Sequence, residues 1–192
     1  MSFDARVSDV VSGDRLRRAM GHFATGVTVV SARADDGTPW GTTANAVSSV
    51  SLDPPLVLVC LRRESRTLRV VLTRRRFALS VLEAGQEAIA RQFAHSTKGR
   101  AWGVVPHNDG LLTGAPLIDS APATLEAEVH DTADGGDHLI VIGRVLELWH
   151  TDDHVPPLVF HRGAYTRLAP MSHDEPVSRT RPSTNGRGND QP

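Results

Sequence analysis

Short apolar runs rich in Val, Ile and Thr, each cut off within a few residues by glycine, proline or aspartate, recur along this chain and constrain its fold more than any other feature. TGVTVVSAR at residues 25–33, residues 40–46, VLVCL at 57–61, FALSVL at 77–82, ATLEAEVHD at 123–131 and HLIVIGRVLELWH at 138–150 have the β-branched content or the two-residue alternation of strands, and PLVFHRGAYTRL at 157–168 closes the series. Asp36-Gly37 supplies a hairpin turn after the first run, and the turn-rich DTADGGD separates the long pair. Three stretches instead repeat apolar residues at helical spacing. Residues 12–23, with cap-competent Ser12, carry Leu16, Ala19, Met20 and Phe23; residues 65–75 open with Ser65; residues 83–94 carry Ile89, Ala90 and Phe93. Six or so strands, mostly antiparallel, and three short helices predict a mainly β (α+β) domain, its sheet closed into a barrel with helical excursions.

At 192 residues one core suffices. The expected organisation is an N-terminal segment at 1–11, one domain at 12–169 and a tail at 170–192, polar and rich in Pro, Arg, Ser and Gly, that stays disordered. Periodicity fails between residues 95 and 120, where a long functional or mobile loop is expected. A formal net charge of -1 argues against a nucleic-acid partner, which needs a basic excess. The apolar runs are too short to span a bilayer, and no basic-then-apolar leader opens the chain, so no membrane association and a cytoplasmic location are expected. Cys60, the lone cysteine, excludes an internal disulfide and reads as a small buried hydrophobe.

TTANAVSSVSLDPPLVLVC, residues 42–60, poses the sharpest functional question. Thr42, Thr43, Asn45, Ser48, Ser49 and Ser51 are small and polar where a core strand is needed. They leave the backbone approachable and offer donors and acceptors without bulk. Either a flat polar ligand or a solvated sheet face accounts for them. Ser65-Arg66-Thr67 at a helix start combines free N–H groups, hydroxyls and a guanidinium, which suits an anion; an ordinary cap with a solvated Arg is the simpler reading. His138 follows the glycines of GGDH at the start of a strand, where it can reach into a cleft or stay structural. HRGAY, residues 161–165, can line a pocket or form a hairpin turn. Asp131, Asp134 and Asp137 lack the spacing of a calcium loop, and the HTDDH histidines His150 and His154 precede prolines rather than sharing a helix, so no metal is expected. GxGxxG, Walker, HExxH, CxxC and GxSxG motifs are all missing.

LRRAMGHFATGVTVVSA, GTTANAVSSVSLDPPLVLVCL, SRTL, RFALSVL, EAIARQFA, GDHLIVIGRV and HRGAY, in that order over roughly residues 14–168, resemble the flavin-reductase-like split β-barrel proteins. More narrowly they resemble the small reductase component of two-component flavin-dependent monooxygenases. The resemblance implies a split β-barrel that binds FMN or FAD and NADH or NADPH. Thr43, Ala44, Asn45, Ala46, Val47 and Ser49 would run beside the isoalloxazine, Ser65, Arg66 and Thr67 would hold the ribityl phosphate, and Phe93 and Ala94 would lie by the rest of the cofactor. His138 and Tyr165 would face the nicotinamide, His138 positioning it. Hydride would pass from NAD(P)H to flavin, and reduced flavin would diffuse to a separate monooxygenase or halogenase; the family is typically homodimeric. The chain departs from the family at Ala46 and Val47, where Ser and an aromatic residue are common, and at Pro122 and Thr124, where apolar or aromatic residues are usual. Two other readings use the same barrel: a non-catalytic flavin- or haem-binding carrier or sensor, and a self-sufficient oxidase or pyridoxamine-phosphate-type enzyme.

Overall fold

The computed structural model describes residues 11–94 and 101–168. Residues 28–33, opening with β-branched Thr28, Val29 and Val30, form β2 (Thr28–Arg33), which folds back on β3 (Pro39–Ala44) through a turn in which Gly37 takes φ 82°, a conformation open to glycine. The far edge of β2 pairs with β6 (Arg76–Val81), β6 with β9 (Ala123–Gly135), β9 with β10 (His138–His150), β10 with β5 (Pro55–Arg62), and β5 with β4 (Val47–Leu52). The result is a seven-stranded antiparallel sheet in the order β3-β2-β6-β9-β10-β5-β4.

Its two edge strands, β3 and β4, are neighbours in the chain, joined only by Asn45 and Ala46. Laid flat, six strand spacings would hold those edges roughly 29 Å apart. Two linking residues reach about 11 Å. The sheet must therefore curl until its edges meet at that corner. Beyond the corner no β3–β4 pairing exists among the described residues, so backbone hydrogen bonds do not complete the expected closed barrel: past Asn45 the chain pairs with β5, beginning with the Cys60 N–H on the Ala46 carbonyl at 3.0 Å, and leaves β3 behind. The fold is mainly β with few helices, as expected.

A three-stranded sheet of β1 (Thr25–Gly26), β11 (Leu158–His161) and β12 (Ala164–Arg167) lies beside this corner, and β7 (His107–Asp109) pairs with β8 (Pro116–Ile118) in the stretch expected to be loop. Residues 95–100 of that stretch, the expected tail at 170–192 and nearly all of the expected segment at 1–11 lie outside the described residues. Three helices complete the fold: α1 (Gly13–Met20), α2 (Arg66–Arg74) and, after a 3-10 turn at Ala84–Gln86, α3 (Glu87–Ala94). Ser12 and Ser65 cap α1 and α2 as their side chains predict, accepting from the N–H of Arg15 and Leu68 at 3.3 and 3.4 Å. α1 stops short of Phe23 because the His22 and Phe23 N–H groups bond back only three residues, to the Ala19 and Met20 carbonyls.

Two apolar clusters flank β2. Val30 and Ala32 face the inside of the curl with Val59, Phe77, Val141 and the α2 residues Leu68 and Val71; Val27 and Val29 face outward onto α3, Trp102 and Leu158. Burial on both faces is why that strand reads as a continuous apolar run rather than an alternating one. α3 lies hard against β3: a Cβ on Gly41 would sit 2.8 Å from the Trp102 ring and 2.9 Å from the Phe93 ring. DTADGGD proves to be strand almost throughout, the turn being only Gly136 and Asp137. Residues 131–135 are almost all exposed, and pairing with β10 extends β9 through them despite their turn-like composition. The six residues of β4, assigned to no strand from sequence, become one by pairing with β5.

Candidate cofactor cleft

The corner that joins the two sheet edges opens into a cleft of about 440 Å³, within the range of small-molecule sites. Val27, Ala44 and Leu61 give it an apolar floor, and polar groups come from several directions. Thr42, Thr43, Ala44, Asn45 and Ala46 contribute one wall, residues 60–62, Glu64 and Ser65 another, and Ala94, His138, Phe160 and Tyr165 close the sides.

The wall made by residues 43–46 offers backbone rather than side chains. The Thr43 hydroxyl donates to the Ala90 carbonyl of α3 at 2.6 Å, the Asn45 amide to the Thr25 hydroxyl at 3.1 Å, and the Ala44 carbonyl accepts from the Thr28 hydroxyl at 2.8 Å. Asn45 and Ala46 belong to neither strand, and among the described residues their N–H groups have no backbone partner. Small side chains tied back into the scaffold thus leave main-chain donors beside the cavity. Ser48 and Ser49 are exposed on β4 and line no part of it. The stretch thus divides: residues 42–46 line the cleft, whereas Ser48 and Ser49 lie on the solvated part of β4.

On the opposite side, His138 begins β10 directly across from Arg62 of β5. Its Nδ1 lies 2.8 Å from the Asp137 carboxylate; a carboxylate only accepts, so Nδ1 carries the proton of this bond and Nε2 is left for another partner. The hydrogen bond from His138, then its charge, hold the Asp137 carboxyl below its ordinary range. Arg63 fastens the same hairpin, donating from Nε to the Gly136 carbonyl at 2.7 Å and pairing with Asp134 at 2.9 Å, while its own N–H bonds the Asp137 carbonyl at 3.1 Å. Tyr165 sits edge-on to Phe160 with ring centroids 5.4 Å apart and lies beneath the Arg91 guanidinium at 5.1 Å; burial raises its phenol pKa. Burial likewise raises the Cys60 thiol.

Ser65 brings the N-terminus of α2 to the rim, where the first N–H groups of a helix and its dipole favour an anion. Thr67, in the same turn, is 1% exposed and its hydroxyl has no hydrogen-bond partner among the described residues.

Thr43, Ala44, Asn45, Ala46, Ser65, Ala94, His138 and Tyr165 are thus brought together at one cleft. Val47 instead packs on the inner core, Phe93 is fully buried against Trp102, and Arg66 lies over the Trp40 ring at 5.3 Å, lining a second cavity. Cys60, Leu61, Arg62 and Glu64 were not singled out as cleft residues from sequence. They enter through the β5–β10 register, which joins positions far apart in the chain. Among the described residues no three His, Cys, Asp or Glu side chains converge as metal ligands, and no helix is long and apolar enough to cross a membrane.

Residues 20–169 match the family described as Flavin reductase like domain. The chain is 40% identical over 161 residues to the NADH-dependent FAD reductase of Streptomyces globisporus, covering 81% of this chain and 86% of that protein. It is 39% identical over 166 residues to the flavin reductase (NADH) of Kitasatospora aureofaciens, covering 86% of each. Among solved structures it matches the NADH:FAD oxidoreductase SgcE6 of S. globisporus C-1027 with a TM-score of 0.78 at 40% identity, over 85% of this chain and 99% of that one. BorF, the flavin reductase component of a bacterial two-component tryptophan halogenase, matches with a TM-score of 0.76 at 36% identity, over 83% of this chain and 100% of its own.

Proposed function

The chain belongs to the flavin-reductase-like family, and we propose that it is an NADH-dependent flavin reductase whose reduced FAD or FMN serves a separate monooxygenase or halogenase. The observation that carries this reading is the cleft itself, an apolar-floored slot with main-chain donors along one wall, a helix N-terminus at its rim and a carboxylate-held histidine opposite. Those features fit a flavin: a flat ring with a polar edge on an anionic tail needs unobstructed backbone donors and an anion-binding turn, and the unpartnered Thr67 hydroxyl lies in that turn.

Bound flavin supplies a hydride acceptor at N5, and NADH a donor at its nicotinamide C4. The chain's task is orientation. Asn45 and Ala46 offer N–H groups to the ring edge, and Ser65, with the first N–H groups of α2, receives the phosphate. Arg66, over Trp40, neutralises charge just beyond Ser65. Ala94 bounds the cofactor at the end of α3, held there by Phe93 packed in the core. His138, its Nδ1 committed to Asp137, keeps Nε2 for the nicotinamide side, where Tyr165 supplies an aromatic wall. No general base is required, and none of these groups is assigned one.

In this reading the curled sheet is a split β-barrel, and the functional unit is a homodimer. Supporting the dimer, α1 buries none of its residues within one chain: Leu16 and Met20, four apart on one face, are 56% and 55% exposed, and Phe23, just past the helix end, is 67% exposed. We assign the protein to the cytoplasm, where NADH is regenerated. A carrier or sensor on the same scaffold would need no nicotinamide side.

Mixing the protein with NADH and excess FAD or FMN without air tests the proposal. Multiple-turnover loss of both the NADH and the oxidised-flavin absorbance is expected. Tight flavin binding with no oxidation of NADH or NADPH would establish the carrier instead.

A further inference from the structure

A second cavity, of about 360 Å³, lies between α2 and the β2–β3 hairpin. Its lining is cationic and aromatic: Trp40 from β3, with Arg66, Arg69 and Arg74 from α2. Arg74 is neutralised by Asp35. Arg66 and Arg69 have no carboxylate partner among the described residues, and three residues apart on the helix they share a face. The Arg66 guanidinium already stands over the half-buried Trp40 ring. An aromatic surface beside two unpaired guanidiniums calls for a ligand that is both flat and anionic.

The cavity also adjoins the cleft. Ser65 lines one and Arg66 the other; Thr42 lines one and Trp40 the other. Residues two apart on a strand point the same way, so Trp40 and Thr42 share a face of β3 about 7 Å apart. A ligand whose phosphate sits at Ser65 would enter the second cavity with whatever follows that phosphate.

We propose that this second cavity receives the adenosine-phosphate end of a dinucleotide whose other end lies in the cleft, the adenine stacking at Trp40 and the phosphate meeting Arg66 and Arg69. FAD has such an end and FMN does not, so the cavity would set the preference between them. NADH carries the same group. The inference rests on the cleft being the flavin site.

Trp40→Ala, Trp40→Phe and Arg69→Ala, each with FAD and FMN binding titrations and NADH KM measured with FMN as acceptor, test it. The expected result is FAD binding weakened about tenfold by Trp40→Ala and by Arg69→Ala with FMN binding unchanged, and FAD binding restored in Trp40→Phe, which keeps an aromatic face. A raised NADH KM with both flavin affinities intact would support the same site with NADH as the source of the adenosine phosphate. Equal weakening of FAD and FMN, or no change in any of the three quantities, would overturn it. Wild-type protein that neither binds FMN nor oxidises NADH would refute the reductase reading itself, a result separate from any of these.

Discussion

His138 owes its orientation to a neighbour in sequence, Asp137, and its location to a neighbour across the ladder, Arg62. Removing the ring takes away the Nε2 side of the cleft and leaves the donors of Asn45 and Ala46 untouched. His138→Ala is therefore expected to raise the KM for NADH about tenfold, the worth of one hydrogen bond to a positioned group, with flavin affinity unchanged. Unchanged NADH oxidation at subsaturating NADH would exclude that role. His138 and Tyr165 were legible because each sits beside a glycine-containing turn, GGDH and HRGAY, which marks a strand end. Arg62 and Cys60 were not, because nothing in a β-branched run says which distant strand it will face. Arg66 shows a subtler limit. Its helix position was readable, whereas its side chain's choice of Trp40 depends on the β2–β3 hairpin packing against α2.

Among the elements, the β9–β10 hairpin bears His138 and the turn before α2 bears Ser65, and Arg63 ties one to the other. Its bonds reach the Gly136 carbonyl, Asp134 and, through its main chain, Asp137. Arg63 lines no part of the cleft, so Arg63→Ala should act only by loosening both walls. The expected outcome is a several-fold rise in both NADH KM and flavin Kd, with kcat nearly retained, and partial rescue by Arg63→Lys, which restores the charge facing Asp134 but not the fork. The Gly136 N–H, then Arg63, depress the Asp134 carboxyl. A depressed carboxylate contributes stability above its unfolded pKa and loses it as pH falls through the folded value, so the tie should weaken only below the ordinary carboxylate range. Element types were largely readable: the hairpin at Asp36-Gly37, three helices with two of their serine caps, and the long strand from 138 to 150. Boundaries failed where tertiary pairing overrode local composition, as at β4 and in DTADGGD.

For the whole molecule, the proposed dimer rests on apolar side chains that a single chain leaves exposed. Burying Phe23 is worth about 2 kcal/mol, roughly thirtyfold in a dimer Kd. Phe23→Glu is expected to shift a dimeric species to monomer in sedimentation at micromolar concentration, with the fold intact by circular dichroism. A wild-type monomer at high concentration would remove the dimer from the proposal. The mainly β class followed from strand count and turn spacing, but the open seam between β3 and β4 did not, because closure depends on register across the whole sheet. That seam gives the cleft its mechanical character. A sheet stitched at one corner by two residues, with no ladder beyond, can breathe there without breaking a backbone bond. A reductase of the kind proposed, handing its product on after each cycle, would have its exit at this seam, unsewn among the described residues.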